Sequence, residues 1–274
     1  MNDNNDSSNQ FGLVIVGDEI LSGKRADKHM PKLIELLSAR GLQLAWADYV
    51  GDSPERITAT LRRAFDSGMP VFSCGGIGAT PDDHTRQCAA RALGVELELH
   101  PEAAALIRER MQDVAREQGV PYEPDRADNV HRLDMGVFPR GARIIPNPYN
   151  KIAGFSVGDV HFVPGFPVMA WPMMEWVLDT HYQGRFRRQA YVEKSVIVLG
   201  SMEATLTPLM ERIEHEHPEV KVFSLPSVDH PEHGRHIELG VKGEGRQVPA
   251  AYADLLAGLL ERGARLGPEL VRNS

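Results

Sequence analysis

The segment Gly75-Gly76-Ile77-Gly78-Ala79-Thr80-Pro81-Asp82-Asp83-His84-Thr85 is the stretch of this chain whose residue types and spacing point most directly to chemistry. Three glycines directly behind an apolar run at residues 69–74 let the backbone turn tightly and approach a ligand with no Cβ in the way. A helix expected to open at about Thr80 would aim its free N–H groups and its dipole at an anion, so a phosphate fits there. Asp82 and Asp83 in its first turn would hold a divalent metal such as Mg²⁺ against the phosphates, or one would act as a base. The same residues also fit a capping box, with Thr80 at the N-cap, Pro81 at N1 and Asp83 at N3. Local pattern leaves both readings open. The spacing is not GxGxxG and no Walker lysine follows, so neither familiar nucleotide fingerprint is met.

Such a loop needs a scaffold. Residues 11–16 read as a buried strand running into Gly17-Asp18-Glu19, and residues 28–39 as a helix closed by Gly41. A second strand at 42–50 leads to a turn in which Ser53 is the N-cap and Pro54 is N1 of a helix marked by Ile57, Leu61 and Phe65. A third strand at 69–74 enters the glycine loop, whose helix ends at Gly94. Strands alternating with helices predict a three-layer αβα domain on a mainly parallel sheet, with ligands at the strands' carboxyl ends. Asp18, Glu19 and Asp52 fall on that edge.

A long helix at 101–118, an irregular stretch at 121–150, strands at 154–157 and 161–163 and a helix through 173–178 complete a domain expected at 11–181. Phe166, Trp171 and Trp176 are expected to pack the last helix on the sheet. Residues 182–190, with Arg185, Arg187 and Arg188, read as a solvated linker. A β-α-β-β-α order then predicts a small α+β domain over 191–266.

The formal net charge of -8 argues against a sequence-independent nucleic-acid binder. No apolar run is long enough to span a membrane, and residues 1–10 read as a disordered tail rather than a signal peptide. Cys74 and Cys88, with no CxxC, fit a reducing compartment, so a cytoplasmic location is expected. His230, His233 and His236 would suit zinc or nickel, but at a hairpin residues three apart need not share a face. His215 and His217 are expected at a helix's C-terminal end, and His84 beside the ligand.

The glycine loop resembles the signature of the molybdopterin-binding, MoaB/MogA-like family, and more closely that of its competence/damage-inducible CinA branch. Gly17-Asp18-Glu19-Ile20-Leu21-Ser22-Gly23 and Val50-Gly51-Asp52 resemble that branch's first two strand ends. Asn129 and Arg132, then Pro139-Arg140-Gly141-Ala142, Asn147-Pro148, Ala153-Gly154-Phe155 and Val163-Pro164-Gly165-Phe166-Pro167 follow in the branch's order. The run starting at Leu199-Gly200-Ser201-Met202 is similar to the start of its KH-like middle domain, without the second glycine of a nucleic-acid clamp.

The resemblance implies a phosphate loop at Gly75, Gly76 and Gly78, with Asp83 beside the phosphates and Asp52 at the second strand's end. It also implies ligand contacts from Ile77, Thr80, Asp82, Thr85, Asp18, Glu19, Asn129, Arg132, Pro164 and Gly165, with Asp83 and Glu19 on a metal. The implied activity is metal-dependent hydrolysis of a nucleotide diphosphate of the ADP-ribose type, by a homo-oligomer. Alternatives are a molybdopterin-binding protein and a non-catalytic ligand-binding or oligomerisation module. CinA's deamidase domain would begin where the chain stops, so that activity is expected to be absent. Three positions depart from the branch: His29 stands for Asn, Tyr149-Asn150-Lys151-Ile152 for a Gly-Thr step, and Met169 near a Glu.

Overall fold

The computed structural model describes residues 9–186 and 191–273. The chain divides into two compact units, Met1–Phe186 and Arg187–Ser274. Most of the expected tail, residues 1–8, and the linker positions 187–190 with Arg187 and Arg188 lie outside the described residues.

The first unit is built on a six-stranded sheet. Its strands are β1 (Gln10–Val16), β2 (Gln43–Val50), β3 (Val71–Cys74), β6 (Arg143–Ile145), β7 (Gly154–Val157) and β8 (Val160–Val163), in the order β2-β1-β3-β8-β7-β6. The first four in that order run parallel; β7 returns antiparallel from β8, and β6 pairs antiparallel with β7. From Phe11 on, β1 is buried throughout, as a central strand covered on both faces must be, and a one-turn helix, α1 (Asp18–Leu21), follows it. Phe11, Leu13 and Ile15 face one apolar layer with α2 (His29–Ser38) and α7 (Pro167–His181). Val14 and Val16 face the other, with α3 (Pro54–Asp66), α4 (Thr85–Leu93) and α5 (Pro101–Glu117). The three-layer αβα expectation holds.

Several local expectations are realised in detail. Ser53 caps α3, its hydroxyl accepting from Arg56 N–H at 3.4 Å with Pro54 at N1. Gly41 and Gly94 close their helices at φ +68° and +69°. Trp171 and Trp176 pack against the core beneath α7.

Three expectations are corrected. The helix behind the glycine loop opens at Thr85, not Thr80. Asp83 N–H donates to Thr80 C=O at 3.0 Å while its carboxylate accepts from Thr80 N–H and Oγ1, so residues 80–83 close on themselves as a turn. Thr85 then fixes the helix start, its N–H on Gly76 C=O and its hydroxyl on Gly75 C=O, both at 3.0 Å. The stretch 121–150 is not wholly irregular. It holds α6 (Ala127–Arg132), a 3₁₀ turn, β6 and β5 (Val137–Pro139), which pairs with β4 (Leu97–Leu99). Phe166 does not pack inside: it is 54% exposed.

The second unit is a four-stranded antiparallel sheet, order β10-β11-β9-β12, formed by β9 (Tyr191–Leu199), β10 (Lys221–His230), β11 (Gly234–Glu244) and β12 (Arg265–Asn273). Helices α8 (Glu203–Glu216) and α9 (Val248–Glu261) bury Leu206, Leu209, Leu255 and Leu259 against it. β12 extends the expected order to β-α-β-β-α-β, the split-βαβ arrangement. Gly267-Pro268 disguises that strand in the sequence, and the register shifts between Leu266 and Glu269 to admit it.

Candidate functional site

The site lies where strand order reverses. From β1 the chain goes first to β2 on one side, then to β3 on the other, and a crevice opens at the carboxyl ends between them. Gly75 and Gly76, at φ +102° and +67°, turn the backbone directly after β3. A Cβ on Gly75 would lie 2.3 Å from Val16 C=O, and one on Gly76 2.2 Å from Thr85 Oγ1. Gly76→Ala is therefore expected to cost about 2 kcal/mol, from left-handed strain alone, and to displace the Thr85 hydroxyl. A lowered urea midpoint checks it.

Buried Arg86 on α4 sets the direction of the loop. Its Nη1 donates to Ile77 C=O at 2.9 Å and its Nη2 to Gly78 C=O at 2.7 Å. Trans peptide planes then place the N–H groups of Gly78 and Ala79 on the side away from Arg86. From β8, Pro164-Gly165-Phe166 runs alongside: Gly75 N–H donates to Val163 C=O at 3.0 Å, and a Cβ on Gly165 would meet Gly75 Cα at 3.5 Å, an ordinary contact.

The ends of β1 and β2 are clasped by their aspartates. Asp18 N–H donates to Asp52 Oδ2 at 3.0 Å, and Asp52 N–H to Asp18 Oδ1 at 3.2 Å. Each carboxylate thus gives one oxygen to the other's backbone N–H. Asp18, Glu19, Asp52 and Asp82 gather around one recess beside the cavity, with Lys24 also on its wall. Burial raises the pKa of Asp52, Asp18 N–H opposes that, and the charges of Asp18, Glu19 and Asp82 raise it further. Hard oxygen donors that repel one another in this way fit a divalent cation of the Mg²⁺ type.

One cavity of 730 Å³ collects most of the expected residues: Glu19, Asp52, the loop from Gly75 to Thr80, Asp82, Asp83, Pro164 and Gly165 all line it. Asp18 sits in the adjoining recess. Thr85, Asn129 and Arg132 do not line either. Thr85 is buried beneath the loop, and Asn129 and Arg132 serve α6, with Asn129 Nδ2 on Glu123 C=O at 2.7 Å and Arg132 Nη1 on Asn129 Oδ1 at 3.0 Å. His84 does not line the cavity; it stands at the N-cap of α4.

The sequence reading passed over Lys24 and Arg25, which line the cavity directly after Gly23. Asn147 and Asn150 line it as well. Asn147 Nδ2 donates to Asn150 Oδ1 and Ile152 C=O, at 2.8 and 2.9 Å, tying the loop into a knot. Lys151 inside it has φ +64°, a conformation rare outside glycine, and its ammonium pairs with Glu109 and Asp113 of α5.

In the second unit, the hairpin does bring His230, His233 and His236 together, with ring centroids 4.9 to 5.7 Å apart. The His230 and His233 rings stack in nearly parallel planes, so their in-plane lone pairs do not meet at one ion. At the end of α8, His217 Nε2 pairs with Asp254 at 2.8 Å, beside Glu216.

The mainly parallel three-layer α/β domain thus carries a glycine loop, a carboxylate recess and two basic residues at one strand edge. Residues 12–182 match the family described as probable molybdopterin binding domain, and the chain belongs to it. Within that family its similarity runs to CinA-like proteins. It is 34% identical over 181 residues to a CinA-like protein of Anaeromyxobacter dehalogenans, covering 64% of this chain and 42% of that one. A protein of Pyrobaculum arsenaticum is 30% identical over 218 residues, 78% of each chain. Among solved structures, protein CinA of Thermoplasma acidophilum superposes with a TM-score of 0.52 at 26% identity, over 63% of this chain and 98% of its own. The chain spans less than half the length of that Anaeromyxobacter relative. No helix among the described residues is long and apolar enough to cross a membrane.

Proposed function

We propose that the first unit binds a nucleotide- or pterin-phosphate and acts as a metal-dependent hydrolase of a nucleotide diphosphate such as ADP-ribose. The observation that carries this reading is a single cavity with the glycine loop, Lys24 and Arg25 as its anion-binding part and Glu19, Asp52 and Asp82 as its cation-binding part. The amides of Gly78 and Ala79 hold phosphate oxygens, and Lys24 and Arg25 offset the charge that grows on the leaving phosphate. Glu19, Asp52 and Asp82, with Asp18 beside them, would hold the divalent cation. Bound there, that cation supplies a more acidic water and neutralises a phosphoryl oxygen. Asp83 keeps the loop closed through Thr80.

Purified protein incubated with ADP-ribose and Mg²⁺, Mn²⁺ or Co²⁺ is expected to release AMP and ribose 5-phosphate. Asp52→Asn should lower turnover by about 100-fold or more, since it removes an anionic ligand from the recess. An Asp83→Ala control should lose binding as the turn opens. Absence of metal-dependent turnover, or equal turnover in Asp52→Asn, overturns the hydrolase reading. A second reading, pterin-phosphate binding without hydrolysis, is favoured by the family match itself. Calorimetric binding of molybdopterin or its adenylate without turnover would establish it.

A further inference from the structure

Three consecutive carbonyls of the glycine loop are each met by a nitrogen from outside it. Arg86 takes the first two, on Ile77 and Gly78. The third, on Ala79, lies 3.1 Å from Nε2 of His131, which reaches across from α6. The same peptide is held on its opposite side, because Thr80 N–H donates to Asp83 Oδ2 at 2.8 Å. The His131 ring is engaged at its other nitrogen too: Nδ1 lies 3.0 Å from Asp134 Oδ2, in the 3₁₀ turn that follows α6. These groups meet in a cavity of 340 Å³ behind the loop. It shares Ala79, Thr80 and Asp83 with the main cavity, which His131, Arg86 and Asp134 do not line. The charged groups facing His131 there are Asp83, Arg86 and Asp134. Asp83 is committed to Thr80 and Arg86 to its two carbonyls, so Asp134 is the carboxylate that decides the ring's state.

A carbonyl and an ionised carboxylate both only accept, so His131 satisfies the two only with a proton on each ring nitrogen. A neutral ring has one proton, and the carboxylate draws it to Nδ1, the stronger, charge-assisted bond. Nε2 then turns a lone pair toward the Ala79 oxygen, and the two repel. We propose that His131 is a positioning residue for the glycine loop, and that it holds the Ala79 carbonyl only while its ring is protonated. Arg86 is the permanent holder of the loop and His131 the conditional one. Release leaves the Ala79–Thr80 peptide fixed from one side alone, and the neighbouring amides that face a phosphate lose their set direction. Mild acid closes this clasp and alkali opens it. The effect on phosphate binding rests on the function proposed above; the clasp itself stands on the contacts of His131.

Amide NMR of the full chain without ligand reads the clasp directly. His131 is exposed, so its variants should fold. Between about pH 6 and about pH 8, where histidines change charge, the Thr80 amide is expected to move with the His131 ring signal. That movement should be largely lost in His131→Gln. In Asp134→Asn the new side-chain amide can donate to Nδ1, which leaves the ring's one proton on Nε2 and keeps the clasp shut, so Thr80 should again stay still. Calorimetry with inorganic pyrophosphate and Mg²⁺ reads the consequence. Wild-type affinity should fall from about pH 6 to about pH 8 by about two- to fivefold more than that of His131→Gln, the size of one exposed charge-assisted contact. Asp134→Asn should share the flatter profile. Any protonation of Asp52, or of His84 at the N-cap of α4, is common to all three proteins and drops out of the comparison. Equal Thr80 movement in wild type and His131→Gln, or parallel affinity profiles, overturns the inference. Pyrophosphate that binds none of the three overturns the phosphate reading instead, and the Thr80 amide still decides the clasp.

Discussion

An Arg86→Leu variant is expected to lose about 3 kcal/mol of stability and to bind phosphate ligands too weakly to measure. Arg86 is only 4% exposed, and its guanidinium donates to the carbonyls of Ile77 and Gly78. Burial lowers its pKa, and Asp83 and Asp134 pull the other way; an arginine nonetheless stays charged. Leucine removes two charge-assisted bonds, each worth about 1.5–3 kcal/mol, and relieves part of the cost of burying the cation. The two carbonyls left without donors are free to turn, and the amides that would face a phosphate turn with them. Urea unfolding should show a lower midpoint at unchanged slope. Arg86→Lys keeps the charge but cannot reach both carbonyls in one plane, so an intermediate loss is expected. Wild-type stability in Arg86→Leu would show that the loop holds its own shape.

Acid should weaken the protein through a different buried group. His161 is fully buried, with Nδ1 2.8 Å from Ser156 Oγ and Nε2 2.6 Å from Tyr182 Oη. Tyr182 gives its proton to Asp159 at 2.9 Å, so it accepts from His161 Nε2–H, and Nδ1 accepts from Ser156. That tautomer is neutral. Burial first, then the nearby charges of His181 and Arg143, push the pKa down to about 3. An unfolded chain has this histidine near its ordinary value of about 6.5. The contribution is therefore complete above pH 6.5 and is lost as pH falls toward 3, because the unfolded state takes up a proton that the native state refuses. Each pH unit in that window costs about 1.4 kcal/mol. His161→Gln should be less stable at pH 7.5 and lose less on going to pH 5, a range in which most carboxylates have yet to titrate. Parallel pH profiles for the two proteins would overturn this.

The β1–β3 half of the first unit is legible in the sequence because each signal there is local. Buried apolar runs, Ser53 before Pro54, and glycines at positions 41 and 94 all act within a few residues of where they stand. The start of α4 is not of that kind. Thr80-Pro81-Asp82-Asp83 satisfies a helix cap and a closed turn equally well, and Thr85 settles the matter by reaching back to Gly75 and Gly76. β4 and β5, three residues each, exist only because they meet across the chain. The site divides in the same way. Glycines and aspartates at strand ends stood out, whereas Lys24 and Arg25 look like any solvated pair until the fold turns them over the cavity. Asn129 and Arg132 matched a motif, yet their hydrogen bonds hold α6. Phe166 reads as a packing residue in the sequence, yet it is exposed, because aromatic type alone does not say which side of a loop a ring occupies.

The prolines of the second unit bear on how the chain behaves in crowded solution. Both outer strands of its sheet carry exposed apolar side chains, Leu225 and Val228 on β10 and Val271 on β12. Left continuous, such margins would invite strands from other copies to add on and fibres to grow. Pro226 withholds an amide from β10, and Gly267-Pro268 breaks the regular spacing of β12. The interruption that hid β12 from the sequence reading thus also leaves an incoming strand little to zip against.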